Sequence, residues 1–176
     1  MSAPHTPHEP AGASASAFAF ALLTVSDTRT VKDDVSGELM RELVTGSGHR
    51  VIATAIVPDE PAIVRDRVLA WAADPAVDAI VTSGGTGLSA RDRTVEAVSS
   101  LFDVKIGGFG ELFRKLSFDE IGSRAMLSRA EAGVARGAPV FLLPGSPNAV
   151  RLALTRLILP EIAHVIAELR RHGTRG

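Results

Sequence analysis

Short apolar runs alternate with amphipathic segments along most of this chain, from about residue 17 onward. The apolar runs are bounded by Gly, Pro and polar residues, and they predict buried strands at positions 18–25, 50–57, 77–82, 130–135 and 139–143. Apolar residues at helical spacing predict helices that begin near Ser36, at Pro61 and at Thr94. A further helical stretch is expected at 111–116, and a C-terminal helical region is interrupted or restarts at Pro160.

The alternation of strands with helices predicts an α/β fold. Strands separated by helices run parallel and are joined by right-handed crossovers. We therefore predict a three-layer α/β/α sandwich with a mostly parallel sheet, in which the last two apolar runs form a β-hairpin. Residues 1–16 are rich in Pro, Ala and Ser without periodicity and predict a disordered tail, so that residues 17–176 form a single domain.

Composition narrows the functional classes. The formal net charge of −1 argues against broad nucleic-acid binding. The chain has no cysteine, which excludes disulfides, thiolate catalysis and cysteine-based zinc sites. Its apolar runs fall far short of the about 20 residues needed to span a bilayer, and no secretory signal pattern is present. We expect a soluble, cytoplasmic protein with no membrane or nucleic-acid partner.

A glycine-rich loop follows the third predicted strand. Gly84, Gly85, Thr86 and Gly87 allow backbone N–H groups to approach a ligand closely, and such a nest of amides attracts phosphates. The loop continues to the carboxylate of Asp92, flanked by arginines, and Thr94 can then cap the next helix. It has neither the ending of a P-loop nor the spacing of a dinucleotide-binding fingerprint. The loop therefore predicts an anion site of unspecified type.

Three more polar loops follow predicted strands. In an open α/β sheet, ligands bind at the carboxyl ends of the strands, so all of these loops should meet at one edge. They contain Ser26-Asp27, Pro58-Asp59-Glu60 and Pro144-Gly-Ser-Pro-Asn148.

Each of these loops also has a purely structural interpretation. Ser26 and Asp27 could cap a turn, Asp59 and Glu60 could form an ordinary acidic helix start, and Pro147 could occupy the first position of a helix. Histidine spacing indicates no metal site, and the lack of a Gly-x-Ser-x-Gly motif makes serine-hydrolase chemistry a poor fit.

An ordered set of motifs resembles the MogA/MoaB proteins of molybdenum cofactor biosynthesis, which are related to the G domain of gephyrin. The resemblance extends from about residue 18 to residue 170. The motifs are Thr24-Val-Ser-Asp27, Asp34-Val-Ser-Gly37, Val57-Pro-Asp-Glu60, Gly84-Gly-Thr-Gly87 with Arg91-Asp92 and Thr94, Gly108-Phe-Gly110, Met126-Leu-Ser-Arg129, and Pro144-Gly-Ser-Pro-Asn-Ala-Val150.

The resemblance implies a molybdopterin-binding fold, assembled as a homotrimer or a hexamer. It implies adenylyl transfer from Mg-ATP to the terminal phosphate of molybdopterin with release of pyrophosphate. Such a phosphate is already largely ionised at neutral pH, so the chemistry needs charge neutralisation and in-line positioning more than a strong base. Two carboxylates for Mg²⁺ and an amide nest for phosphates meet that need.

Site residues follow from the same resemblance. Asp59 and Asp92 are expected to be catalytic and to hold Mg²⁺. Arg91, Ser128 and Arg129 are expected to contact substrate. Phosphate and nucleotide contacts are expected from Ser26, Asp27, Gly84, Gly85, Thr86, Gly87, Pro144, Gly145, Ser146 and Asn148.

Two features leave the branch of the family open. The stretch from Phe118 to Gly122 is more similar to the MoaB branch. Some members of the family resemble this chain but lack transferase activity and have altered residues at the Asp59 position, so the aspartate kept here favours an active enzyme. Val95 stands where the family often has proline, which should weaken helix initiation slightly. The alternative is therefore a non-catalytic molybdopterin-binding or carrier protein. A nucleotide- or phosphate-binding regulator in an oligomeric scaffold is a third interpretation.

Overall fold

The computed structural model describes residues 17–172, so the predicted tail at 1–16 lies outside it. The strands are β1 (Ala19–Val25), β2 (Arg50–Val57), β3 (Ala79–Ser83), β4 (Val104–Lys105), β5 (Glu131–Ala135) and β6 (Ala138–Leu143). The α-helices are α1 (Val35–Gly46), α2 (Pro61–Ala73), α3 (Thr94–Ser99), α4 (Gly107–Ile121), α5 (Pro147–Ala153) and α6 (Leu159–His172). A 3₁₀ helix at Gly122–Leu127 follows α4, and a π-helical segment at Leu154–Ile158 joins α5 to α6.

The strands form one six-stranded sheet in the order β2-β1-β3-β6-β5-β4. Neighbours from β2 to β6 run parallel, whereas β5 is antiparallel to β6 and β4 is antiparallel to β5. The mostly parallel sheet and the terminal hairpin are confirmed.

Two hydrophobic clusters lie on opposite faces of the sheet. One contains residues of α1, α4, α5 and α6, and the other contains residues of α2 and α3. Successive residues of β1 alternate between them, with Phe20 and Leu22 in the first and Ala21 and Leu23 in the second. Because both faces are covered, β1 is apolar except for the buried Thr24 instead of alternating with polar residues. The predicted three-layer α/β/α sandwich is confirmed.

Two helix boundaries and one strand differ from the sequence prediction. The first helix begins at Val35 because the Asp34 carboxylate caps it, accepting the N–H of Gly37 at 2.9 Å. The fourth helix extends from Gly107 to Ile121, well beyond the predicted 111–116, since its glycines are tolerated within a helix. Strand β4 was not predicted, because two exposed residues give no periodic signal.

Thr94 does not cap the helix that it begins, so this prediction was wrong. It is the first residue of α3 and therefore already helical, and Arg93 precedes it without a side-chain cap. Its backbone N–H donates to the Gly85 carbonyl at 3.1 Å, and its buried hydroxyl has no hydrogen-bond partner. A helical residue cannot act as its own N-cap, which needs an extended backbone. Thr94 instead packs its hydroxyl beneath the glycine loop.

Candidate active site

The four polar loops meet at one edge of the sheet, as predicted. The last residues of β1 and β2 are paired, as are those of β3 and β6, so the chain leaves all four strands at the same level. Backbone hydrogen bonds join the loop starts, from Ser26 N–H to the Val57 carbonyl (2.9 Å) and from Gly84 N–H to the Leu143 carbonyl (3.0 Å). A single surface therefore carries residues from four strand ends.

Glycine is required at the start of the glycine loop because the backbone turns sharply against its neighbours. Gly84 and Gly85 have φ of +104° and +64°, values that favour glycine. A Cβ on Gly84 would overlap the Val25 carbonyl oxygen, and one on Gly85 would overlap the Thr94 hydroxyl. The same Gly85 position lies 3.0 Å from Oδ1 of Asp59. The loop therefore lies directly against Asp59 and Thr94.

The Asp92 carboxylate turns back into the glycine loop. Its Oδ2 accepts the N–H of Ser89 at 3.0 Å, and a Cβ on Gly87 would lie 2.7 Å from the same oxygen. The far side of the loop is therefore shaped around this carboxylate.

Asp59 follows β2 and lies between two other acidic residues. Its backbone N–H donates to Oδ1 of Asp27 at 3.0 Å, while its own Oδ1 is buried without a hydrogen-bond partner. Burial raises the pKa of the Asp59 carboxyl, the negative charges of Asp92 and Asp27 raise it further, and Arg91 opposes them. The fold thus holds carboxylates together at an energetic cost, which is typical of a functional site.

Two residues that were predicted to contact substrate or phosphate, Arg91 and Ser26, also make contacts within the protein. Arg91 forms an exposed ion pair with Asp27, with Nη2 and Oδ2 2.9 Å apart. The Ser26 hydroxyl oxygen accepts the N–H groups of Thr28 (3.3 Å) and Arg29 (3.2 Å), which is the turn-capping role considered above.

The loop after β6 is held in place by its own serine and by α1. Ser146 caps α5 by accepting the N–H of Ala149 at 3.3 Å, and Pro147 occupies the first turn of that helix. Ser36 donates its hydroxyl to the Gly145 carbonyl at 2.8 Å, and Asn148 is exposed. Gly145 packs close to Gly84, since a Cβ on Gly145 would lie 3.4 Å from the Gly84 Cα. Pro144 to Asn148 therefore form the wall beside the glycine loop.

Residues 21–164 match the protein family described as "Probable molybdopterin binding domain". The chain is 50% identical over 151 residues to "Molybdenum cofactor biosynthesis protein B" of Bacillus cereus, covering 85% of this chain and 89% of that protein. It is also similar to a crystal structure of a molybdenum cofactor biosynthesis protein B, with 48% identity, a TM-score of 0.87 and coverage of 89% and 98%. The chain belongs to the MogA/MoaB family.

A more distant member of this family is the Mog protein from Mycobacterium ulcerans. It is 28% identical, with a TM-score of 0.77 and coverage of 90% of this chain and 100% of that one. The shared fold therefore spans both branches. Within residues 17–172 of this MogA/MoaB-family protein, no helix is long and apolar enough to cross a membrane.

The carboxylates of this family member fit a Mg²⁺ ion that is shared with a phosphate ligand. In the described part of the chain no three His, Asp or Glu side chains are grouped as a complete metal cage. Mg²⁺ usually keeps several waters and takes one or two carboxylates plus substrate phosphates, so a full cage is not needed. The unpartnered Oδ1 of Asp59 and its raised pKa beside Asp92 are the features that a cation would satisfy.

Sequence reasoning missed three residues that shape this site in the MogA/MoaB-family protein. Asp34 accepts the hydroxyl of Thr24 at 2.5 Å as well as capping α1, and Ser36 holds the Gly145 carbonyl. Glu96 pairs with Arg129 across the base of the glycine loop. The motif Asp34-Val-Ser-Gly37 was the signal for the first two, because capping residues inside a shared motif point to a fixed helix start.

Proposed function

We propose that this protein catalyses adenylyl transfer from Mg-ATP to the terminal phosphate of molybdopterin, as a step of molybdenum cofactor biosynthesis. An oxygen of the terminal phosphate attacks the α-phosphorus of ATP, a new P–O bond forms, and the bond to the β-phosphate breaks to release pyrophosphate. The observation that carries the proposal is the unpartnered Asp59 carboxylate beside Asp92, directly against the glycine loop.

Asp59 and Asp92 would hold Mg²⁺ in this reaction. The ion, when bound, neutralises phosphate charge and draws the two anionic reactants together. Before it binds, the raised pKa of Asp59 reflects first its burial and then the negative charges of Asp92 and Asp27. Their burial and fixed backbone contacts keep them in place without reorganisation, which is how a charged transition state is stabilised most effectively.

The glycine loop would hold phosphate through its backbone. The N–H groups of Gly85 and Gly87 donate to no backbone or side-chain acceptor in residues 17–172, whereas that of Gly84 is used by the Leu143 carbonyl. Gly84 and Gly85 have positive φ, and free amides next to such a backbone form the kind of nest that binds anions. Ser26, Thr86 and the wall from Pro144 to Asn148 would line the nucleotide or pterin, and Ser128 would contact the second substrate.

The second candidate is a MoaB-like protein that binds or carries molybdopterin without catalysis. Identity favours it, because the chain is 48% identical to the solved protein B but 28% identical to the Mog protein. The retained pair of Asp59 and Asp92 supports the enzyme instead.

Incubation with molybdopterin and Mg-ATP, followed by chromatography of the pterin products and a pyrophosphate assay, tests both candidates. The enzyme gives adenylylated molybdopterin and stoichiometric pyrophosphate. Asp92→Asn should lower the rate at least about tenfold, a loss near 1.4 kcal/mol of transition-state stabilisation. Asp66→Asn, on the exposed surface of α2, is the matched control and should retain the wild-type rate. Tight molybdopterin binding with no pyrophosphate would support the carrier.

The protein is also proposed to assemble as a homotrimer or a hexamer. Large apolar side chains are exposed on α4 and on the 3₁₀ helix after it, namely Leu112, Phe118, Ile121, Met126 and Leu127. Exposed apolar patches of this kind mark interaction surfaces. Light scattering of the full chain distinguishes monomer, trimer and hexamer.

A further inference from the structure

The Arg129 side chain crosses the base of the glycine loop and contacts it at three points. Its Nε–H donates to the Thr86 carbonyl at 3.1 Å, and Nη2 donates to the Asp92 carbonyl at 2.6 Å. Its Nη1 pairs with the Glu96 carboxylate in α3. Three different nitrogens of one guanidinium therefore face three acceptors on two sides of the loop.

These contacts need the shape of arginine. The planar guanidinium presents several N–H donors in a fixed fork, and hydrogen bonds from a charged donor are stronger than those between neutral groups. Lysine has one nitrogen and could not reach both carbonyls and the carboxylate from one position. The Arg129 side chain is 26% exposed, so these bonds are partly shielded from water.

The two carbonyls that Arg129 holds lie on either side of the loop tip. Thr86 is within the glycine nest, and Asp92 is the carboxylate proposed to bind the metal ion. Residues 88–91 between them are exposed. Drawing the two carbonyls together closes the loop at its base and fixes where the Asp92 side chain begins.

Glu96 holds the arginine in this position. It lies in the first turn of α3 and pairs with Nη1, the nitrogen that contacts neither carbonyl. The hydrogen bond from Arg129 lowers the pKa of the Glu96 carboxyl, so Glu96 is ionised and opposite in charge to its partner at neutral pH. The pair joins α3 to the segment before β5, 33 positions away along the chain.

We propose that Arg129, oriented by Glu96, is a positioning residue that closes the glycine loop and sets Asp92 against Asp59 for metal and phosphate binding. This assigns Arg129 a role through the loop, in place of the direct substrate contact expected from the family resemblance. The kinetic part of the proposal rests on the proposed function, whereas the closure of the loop does not.

The experiment compares Arg129→Gln, Arg129→Lys and Glu96→Gln with the wild type and with Arg170→Gln. Arg170 is the matched control because it also pairs with a carboxylate, that of Asp78 at 2.7 Å, but just before β3, at the opposite edge of the sheet from the glycine loop. Amide hydrogen exchange of the full chain reports loop closure, and Mn²⁺ binding followed by electron paramagnetic resonance reports the metal site. Adenylylation rates at varied Mg²⁺ concentration report how strongly the reaction depends on the metal ion.

Arg129→Gln should speed exchange at the hydrogen-bonded amides of the loop, those of Ser89, Asp92 and Thr94, without changing the strands. It should weaken Mn²⁺ binding about tenfold or more, the usual effect of losing a residue that orients a metal ligand. The Mg²⁺ concentration for half-maximal rate should rise similarly, while the rate at saturating Mg²⁺ recovers most of its wild-type value. Arg129→Lys and Glu96→Gln should show smaller effects in the same direction, and Arg170→Gln should show none at the loop.

Wild-type exchange at residues 84–94 in both Arg129→Gln and Glu96→Gln would overturn the proposal. If Arg129→Gln unfolds, Glu96→Gln and Arg129→Lys decide the outcome, since both keep part of the contact. If the wild type makes no adenylylated product or binds no Mn²⁺, the proposed function or its metal site fails, and loop exchange alone still decides whether Arg129 closes the loop. A lower maximal rate that Mg²⁺ cannot restore would contradict positioning through the metal site.

Discussion

The backbone N–H of Asp59 donates a 3.0 Å hydrogen bond to the carboxylate of Asp27, so the loops after β1 and β2 are joined at the site. The other oxygen of Asp27 lies 2.9 Å from Arg91 on the glycine loop. Asp27 therefore connects three strand-end loops, and its charge acts on Asp59 at close range. A ligand bound at Asp59, as the proposed function requires, would therefore contact a residue that is joined to all three loops.

Asp59→Asn should stabilise the metal-free protein while lowering the rate of the proposed adenylyl transfer. The pKa of Asp59 is raised in the fold, so its ionised form is less stable there than in the unfolded chain, and asparagine removes that charge with little change in shape. The melting temperature without divalent cations at pH 7 should rise by about 2–4 °C for each 1 kcal/mol of repulsion relieved. Adenylylation should fall at least about tenfold.

The pH dependence of the melting temperature tests whether ionised Asp59 destabilises the fold. A group whose pKa is raised on folding favours the fold when it is protonated, so the Asp59 contribution is lost as pH rises through its folded pKa. The difference in melting temperature between Asp59→Asn and the wild type should therefore shrink as the pH falls below that value. A variant less stable than the wild type at pH 7 would contradict the repulsion.

Gly85→Ala and Gly48→Ala separate backbone strain from steric overlap. Both glycines have positive φ, at +64° and +81°, but a Cβ on Gly48 meets nothing within 4 Å whereas one on Gly85 overlaps the Thr94 hydroxyl. Gly48→Ala should cost about 1–2 kcal/mol for the backbone alone. Gly85→Ala should cost at least about 1 kcal/mol more from overpacking. Denaturant unfolding measures both, and equal losses would show that the loop shifts freely away from Thr94.

His49 should make the fold less stable in mild acid. Its ring lies against Phe18 and Phe20, with centroid distances of 5.6 and 5.5 Å, and burial lowers its pKa below the ordinary 6.5. The unfolded chain then binds a proton at a higher pH than the folded chain, so the free energy of unfolding falls as pH decreases between 6.5 and the folded pKa.

Urea unfolding between pH 5 and 8 measures this effect. His49→Gln should flatten the slope in that window. A profile that is identical in the wild type and His49→Gln would assign the slope to other groups.

Ser36→Ala should loosen the wall of the site from the side of α1. The buried Ser36 hydroxyl donates to the Gly145 carbonyl at 2.8 Å, and its loss should reduce the free energy of unfolding by about 1 kcal/mol. We also expect a higher KM for the ligand that contacts Pro144 to Asn148, with little change in kcat. Steady-state kinetics with each substrate varied in turn shows which ligand that is.

Much of the fold could be predicted because its signals are local. The runs of β1, β3 and β6 are buried on both faces, and the glycines of the loop after β3 are needed for its backbone. Prolines at the starts of α2 and α5 marked those helices correctly. Once the strands were predicted to be parallel, their topology alone placed the four loops at one edge of the sheet.

What could not be predicted depends on contacts between distant parts of the chain. Threonine is a residue type that often caps helices, and only the tertiary structure shows that the Thr94 hydroxyl lies beneath Gly85. The pairing of Arg129 with Glu96 could not be predicted either, because the sequence pattern around a charged loop residue does not indicate which distant residue it contacts. The burial that raises the pKa of Asp59 likewise arises only when the loop after β2 packs against the glycine loop.

The glycine loop is held at both ends, and its tip carries one exposed apolar side chain. Gly84 is bonded to β6, Arg129 donates to a carbonyl at the base, and Leu88 is 69% exposed. The neighbouring Ser89 donates its N–H to the Asp92 carboxylate, so a change in loop length would move that carboxylate, whereas a change of the Leu88 side chain would not. Leu88 is therefore the natural position to diversify in directed evolution, since new ligand preferences could be selected there without rebuilding the proposed site.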